Sequence, residues 1–139
     1  MLQLKSVDLK KEKVETLIIP VCEDKEIHHD KTIKALVKKA QTLDEFKGAA
    51  KDGVTFYSPA GTKVTRATVL GAGKVGKINP EALRSMAGRA VKDAIKKGFS
   101  QISIAVPTSK SLGMETSLIL EAMGEGAVLI GHGCRVKGF

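Results

Sequence analysis

The chain has 139 residues, a length that suits one domain with a core of its own and needs no disulfide or metal staple. A hydrophobic fraction of 42% and a charged fraction of 27% exclude a disordered or collagen-like chain, and with four Phe, one Tyr and no Trp the core must be aliphatic. The formal charge of +8 invites acidic partners, while no apolar run approaches the ~20 residues that a membrane span requires.

Leu2, Leu4 and Ser6 alternate with Gln3, Lys5 and Val7, as in a weakly patterned strand, and Lys10 to Lys13 form a charged turn. Lys5, Asp8, Lys10 and Lys11 interrupt any apolar run at the N-terminus, so no signal peptide is expected and a cytoplasmic setting follows. Thr16 to Cys22 is nearly continuous apolar sequence, the pattern of a strand covered on both faces. Asp30 can cap a helix in which Ile33, Leu36, Val37 and Ala40 share one side and Lys34, Lys38 and Lys39 the other. Val54 to Ser58 and Val64 to Leu70 read as strands, separated by Pro59-Ala60-Gly61.

The best-defined helix begins at Asn79-Pro80-Glu81: a capping side chain, a proline at the first helical position and an acid at the positive end. Leu83, Met86, Ala87, Ala90, Val91, Ala94 and Ile95 make its apolar stripe, and Gly98 ends it. Ile102, Ile104 and Val106 form the next strand, closed by Pro107, and residues 108–113 read as a polar loop. Glu115 to Ile130 is a second long helix, with Leu118, Ile119, Ala122, Gly126, Leu129 and Ile130 as its stripe and Gly131 at its end. The order β, β, α, β, β, α, β, α predicts a single α/β domain over residues 1–139, a mixed sheet flanked by helices.

Gly71, Gly73 and Gly76 spell GxGxxG and raise the possibility of dinucleotide binding. In that fold the third glycine opens the helix and an acid about 20 residues on binds the ribose. Here the helix starts at Asn79-Pro80, residues 100–106 hold no acid, and Asp93 lies within the helix. A tight turn between strand and helix accounts for the glycines, with a nucleotide-binding turn as the alternative. The lysines are spread along the chain without interleaved aromatics, which suits a solvated surface. DNA is the alternative partner, and Lys92, Lys96 and Lys97 are its candidate contacts.

Cys22 and Cys134 are too few for a disulfide framework, and Cys22 closes a buried strand as a small hydrophobe. His28 and His29 are adjacent, so an extended chain points them to opposite faces; His132 and Cys134 supply only two ligands. No metal site and no catalytic set is therefore assigned. Glu121 and Glu125 share a helix face that reads as solvated, and Ser109 and Ser111 have no general base nearby in sequence.

Four segments carry a family resemblance. They are Val14-Glu15-Thr16-Leu17-Ile18-Ile19-Pro20, Phe46-Lys47-Gly48, the run Val69-Leu70-Gly71-Ala72-Gly73-Lys74 with Pro80 to Arg84 and Ala87 to Ala90, and Glu125-Gly126-Ala127 to Gly131. In order and spacing they resemble the N-terminal domain of the two-metal leucyl aminopeptidases, also called cytosol aminopeptidases. Residues 132–137 depart from the pattern, since His-Gly-Cys-Arg-Val-Lys lacks the aromatics usual there.

The resemblance implies a macro-domain-like three-layer sandwich in which a mixed sheet lies between helices. It also implies a non-catalytic accessory role in a cytoplasmic hexamer. Catalysis would belong to a C-terminal domain, absent from this sequence, where Lys, Asp and Glu ligands hold two divalent metals, zinc or manganese. No position of this chain matches those ligands. By analogy with macro domains, a nucleotide or ADP-ribose is the expected alternative ligand, at the turn of Gly71, Gly73 and Gly76.

Overall fold

Eight consecutive residues, Val14–Val21, form strand β2, and all but Glu15 are buried. A strand so uniformly apolar must be covered on both faces and flanked on both edges. In the computed structural model it is an interior strand of a six-stranded sheet of order β1-β6-β5-β2-β4-β3. The structure describes residues 4–6, 9–44, 46–49, 52–99, 101–130 and 134–138, with side chains described for those from 9 to 124.

The elements are β1 (Leu4–Ser6), β2, helix α1 (Lys31–Gln41), β3 (Gly53–Tyr57), β4 (Val64–Gly71), α2 (Pro80–Lys96), β5 (Ile102–Ala105), α3 (Ser109–Leu112), α4 (Thr116–Ile130) and β6 (Cys134–Gly138). β2 runs parallel to β4, from Val14 opposite Val64 to Val21 opposite Gly71, and parallel to β5 on its other side. β6 is parallel to both β5 and β1, and β3 alone is antiparallel, closing the edge beside β4.

Alternation along β2 and β4 divides the core in two. Leu17, Ile19 and Val21 face α1 with Ala67 and Val69, against Ile33, Leu36, Val37 and Ala40. Ile18 faces the other way with Ile102 and Ile104, against Leu83, Met86, Ala90, Val91 and Ala94 of α2 and Ile119, Ala122 and Met123 of α4. Helices α2 and α4 pack side by side on that face. The expected sandwich of a mixed sheet between helical layers is the observed fold.

The caps explain the helix starts. The Asp30 carboxylate accepts the amides of Thr32 and Ile33 at 2.9 and 3.0 Å, and Asn79 Oδ1 accepts that of Ala82 at 2.8 Å. Gly98 takes the left-handed conformation past the end of α2, at φ +88°. Two elements differ from expectation. Residues 108–113 are not a plain loop, because the Thr108 hydroxyl accepts the Ser111 amide and left-handed Gly113 ends one helical turn. A sixth strand also follows α4, where Cys134-Arg135-Val136-Lys137 alternates apolar and charged residues over only four positions. Ile95 and Leu118, placed in apolar stripes, are 40% exposed, each near an end of its helix. Gly131 and His132 lie outside the described residues.

Candidate functional site

Two concavities adjoin the sheet, one at the carboxyl end of β2 and one between β4 and α2. The glycine turn stands between them: Gly71 lines the second, and Gly73 and Val75 are hydrogen-bonded to Glu23 and Asp24 in the wall of the first. The Gly71 amide donates to the Asp52 carbonyl at 2.8 Å, that of Ala72 to Val21 at 2.7 Å, and that of Gly73 to Gly48 at 3.0 Å. The Val75 amide donates to the Asp24 carboxylate at 2.9 Å. Three amides of the turn thus bind backbone carbonyls, and the fourth is held by a side chain. Gly76 lies exposed in a 3-10 turn, Val75–Lys77, ahead of the capped start of α2. Gly71 has a packing reason to be glycine: a Cβ there would drive into the Ala49 carbonyl oxygen. Gly73 needs its freedom for a φ of +84°.

A cleft of about 750 Å³ opens next to this turn, between the loop after β2 and the exposed side of α1. Its walls mix Glu23, Asp24 and Glu26 with Lys31, Lys34 and Lys38, and Lys34 pairs with Glu26 at 3.6 Å. Cys22 and His28 line its inner end. Burial, reinforced by Asp24 and Glu23, pushes the Cys22 thiol up to about 11, so it is neutral and a poor nucleophile. His28 is buried and donates from Nε2 to the Pro20 carbonyl at 2.6 Å. Burial lowers its pKa below 6.5, against the opposing effect of that hydrogen bond. His29, its neighbour, is exposed. Among the described residues, no three His, Cys, Asp or Glu side chains stand together as metal ligands.

The second concavity, about 120 Å³, lies between β4 and α2. Arg66, Thr68 and Leu70 line it from the strand, and Arg89 and Asp93 from the helix. Arg66 is the largest polar side chain in the interior, with 2% of its side chain exposed. Its Nη2 donates to Asp93 Oδ2 at 3.4 Å, and its guanidinium lies 5.2 Å from the centre of the Phe99 ring. Its Nε has no hydrogen-bond partner among the described residues, nor has the hydroxyl of Thr16. Thr16 and Arg66 are register partners on adjacent strands, so the two unsatisfied groups share one patch of the α2 face. A buried polar atom without a partner costs about 1–3 kcal/mol. Sequence reasoning passed over this patch. Its signal was Arg66 interrupting a β-branched strand at a position that the alternation turns inward.

The other sequence candidates are dispersed. Lys92, Lys96 and Lys97 are exposed along α2, and Lys97 pairs with Asp93 at 3.2 Å. Ser109 donates to the Met114 carbonyl at 2.5 Å and Ser111 accepts from Thr108 at 2.6 Å, so both hydroxyls serve the α3 turn. Glu121 is exposed; the side chains of Glu125 and Cys134 lie outside those described.

A parallel sheet with an antiparallel edge, sandwiched between helices, is the architecture of macrodomains. The macrodomain of Mycobacterium tuberculosis DarG superposes with a TM-score of 0.65 over 99% of this chain and 97% of that one, at 9% identity. The macrodomain of Thermus aquaticus DarG gives 0.59 over 100% and 97%, at 13% identity. At such identities the likeness concerns the fold alone. Within that fold, residues 18–133 match the family described as "Cytosol aminopeptidase family, N-terminal domain", and the chain belongs to it. A protein of Acidobacterium capsulatum named "Probable cytosol aminopeptidase" is 31% identical over 100 residues, which are 72% of this chain and 19% of that protein. One of the same name from Rhodopseudomonas palustris is 37% identical over 70 residues, 50% of this chain and 14% of that protein. The chain thus matches less than a fifth of the length of either relative.

Proposed function

We propose that this domain is the non-catalytic, assembly-forming N-terminal part of a cytoplasmic aminopeptidase that removes N-terminal residues from peptides. The observation that carries the reading is the family match across residues 18–133. In it, a C-terminal domain of the same polypeptide holds two divalent metals, zinc or manganese, and performs the hydrolysis. The relatives' much greater length supports this division of labour. The residues of the present domain do not fit such a centre, since the described acids and histidines are scattered or already serve as caps and turn partners. The parent would be a hexamer, in which this domain contributes contacts between subunits.

The test is hydrolysis of leucine p-nitroanilide by the purified chain supplied with manganese or zinc. No turnover is expected, and metal-dependent turnover would overturn the reading. Deleting this domain from a full-length relative should lower the mass seen by light scattering; an unchanged hexamer would remove the assembly role.

One observation favours a second reading, a nucleotide or ADP-ribose module. The larger cleft lies at the carboxyl end of β2, where ligands of open α/β sheets bind, and its wall residues Glu23 and Asp24 are hydrogen-bonded to Gly73 and Val75 of the glycine turn. Calorimetry with ADP-ribose would show saturable heat. Contact with DNA is a third reading, supported by exposed Lys92 and Lys96, which have no ion-pair partner among the described residues. Its test is salt-dependent retention on duplex DNA, reduced by neutralising those lysines.

A further inference from the structure

We propose that the concavity between β4 and α2 is a receptor for one small oxyanion the size of a phosphate, held by Arg66 and Arg89. Two arginines line a space of about 120 Å³, Arg66 from the sheet and Arg89 from the helix. Arg66 is almost wholly buried, and its Nε–H has no acceptor among the described residues. Arg89 is exposed and has no hydrogen-bond or ion-pair partner among the described residues. A guanidinium offers donors in a planar fork that fits oxyanion geometry. Thr68 adds a hydroxyl, which already shares a hydrogen with Thr55 at 3.1 Å and can turn toward a stronger acceptor.

Two carboxylates line the same space, and neither fills it. Asp52 Oδ2 accepts the amides of Lys47 and Ala49 at 3.0 and 3.1 Å. Asp93 is half-exposed and shared between Arg66 at 3.4 Å and Lys97 at 3.2 Å, so Lys97 can retain it when an anion takes the guanidinium. The volume admits a phosphoryl group and leaves the rest of a larger molecule outside, over Arg89. Gly71 of the glycine turn lines this space, but the space shares no lining residue with the cleft at the end of β2, so the inference does not depend on nucleotide binding in that cleft.

The test is titration of the chain with inorganic phosphate at constant ionic strength, following arginine Nε–Hε signals by NMR. A saturable shift of the Arg66 signal is expected, with affinity at least five-fold weaker in Arg89→Gln and unchanged in Arg84→Gln. An Arg66 signal that stays fixed, or the same response in Arg89→Gln, would overturn the proposal. A parallel titration with ribose 5-phosphate separates the sources. Tighter binding than inorganic phosphate assigns the site to a phosphoester, and equal binding assigns it to the free ion.

Discussion

The two faces of this sheet are built from the same strands under different rules. Toward α1, β2 and β4 present Leu17, Ile19, Val21, Ala67 and Val69, with Glu15 and Thr65 confined to the strand beginnings. Toward α2 they present Thr16 and Ile18, then Arg66, Thr68 and Leu70. One face is packed for stability. The other accepts a buried charge and two unpaired polar atoms, a cost persisting where something besides packing is served. The lesson is that burial alone does not make a core position: on adjacent residues of β4, burial coincides with cohesion at Ala67 and with an unmet demand at Arg66.

That contrast predicts a graded series of substitutions, read as urea-unfolding free energies. The largest loss is expected at Gly71→Val, where the added side chain meets the Ala49 carbonyl; more than about 4 kcal/mol should be lost, or the fold with it. Ile19→Ala on the α1 face should cost about 2–5 kcal/mol, through lost burial and the cavity left behind. On the α2 face the sign should reverse. Arg66→Met removes a buried charge and an orphaned donor, leaves Asp93 with Lys97, and should stabilise by about 1 kcal/mol. A loss of about 3 kcal/mol instead would mean that the Asp93 and Phe99 contacts outweigh the burial cost, and the contrast between faces would collapse. Thr16→Val should gain about 1 kcal/mol, by replacing an unsatisfied hydroxyl with a methyl group.

The smallest effect concerns pH. His28 has a folded pKa below its unfolded value of 6.5, so the unfolded chain takes up the proton first. Its contribution is complete above pH 6.5 and is lost as pH falls from there through the folded value. The urea midpoint should therefore drop between pH 7.5 and 5.5, and less steeply in His28→Gln. Equal slopes in the two proteins would place the acid sensitivity elsewhere.

Much of this fold is legible in the sequence because local chemistry and tertiary packing agree. Asn79-Pro80-Glu81 announces α2, and the apolar run of β2 announces an interior strand. Strand β6 escapes such reading because its alternation, Cys134-Arg135-Val136-Lys137, spans only four residues, and it is pairing with β5 and β1 that makes them a strand. The α3 turn depends on one threonine cap and one left-handed glycine, a signal spanning six residues. The Arg66 patch is hidden for another reason. An arginine in a strand ordinarily points to water, and it is the placement of α2 over Arg66, Thr68 and Leu70 that buries it. The glycines of 71–76 read as a tight turn, and the amides of Gly71 and Gly73 do bond to backbone carbonyls, but their spacing does not say which concavity the turn borders.

The position of β6 has a consequence for how the chain is made. Leu4 pairs with Val136, so the first strand of the sequence has no neighbour in the sheet until the last has been synthesised. On the ribosome, β2 can find β4 and then β5 while the N-terminal strand waits, and the exposed edge of β5 is held open for a segment still to emerge. Closing so long a loop adds only slowly to the entropic cost, but it puts the final pairing last. A nascent chain arrested before Cys134 should therefore carry an interior sheet and a dangling start, with the β5 edge offered to any strand that passes.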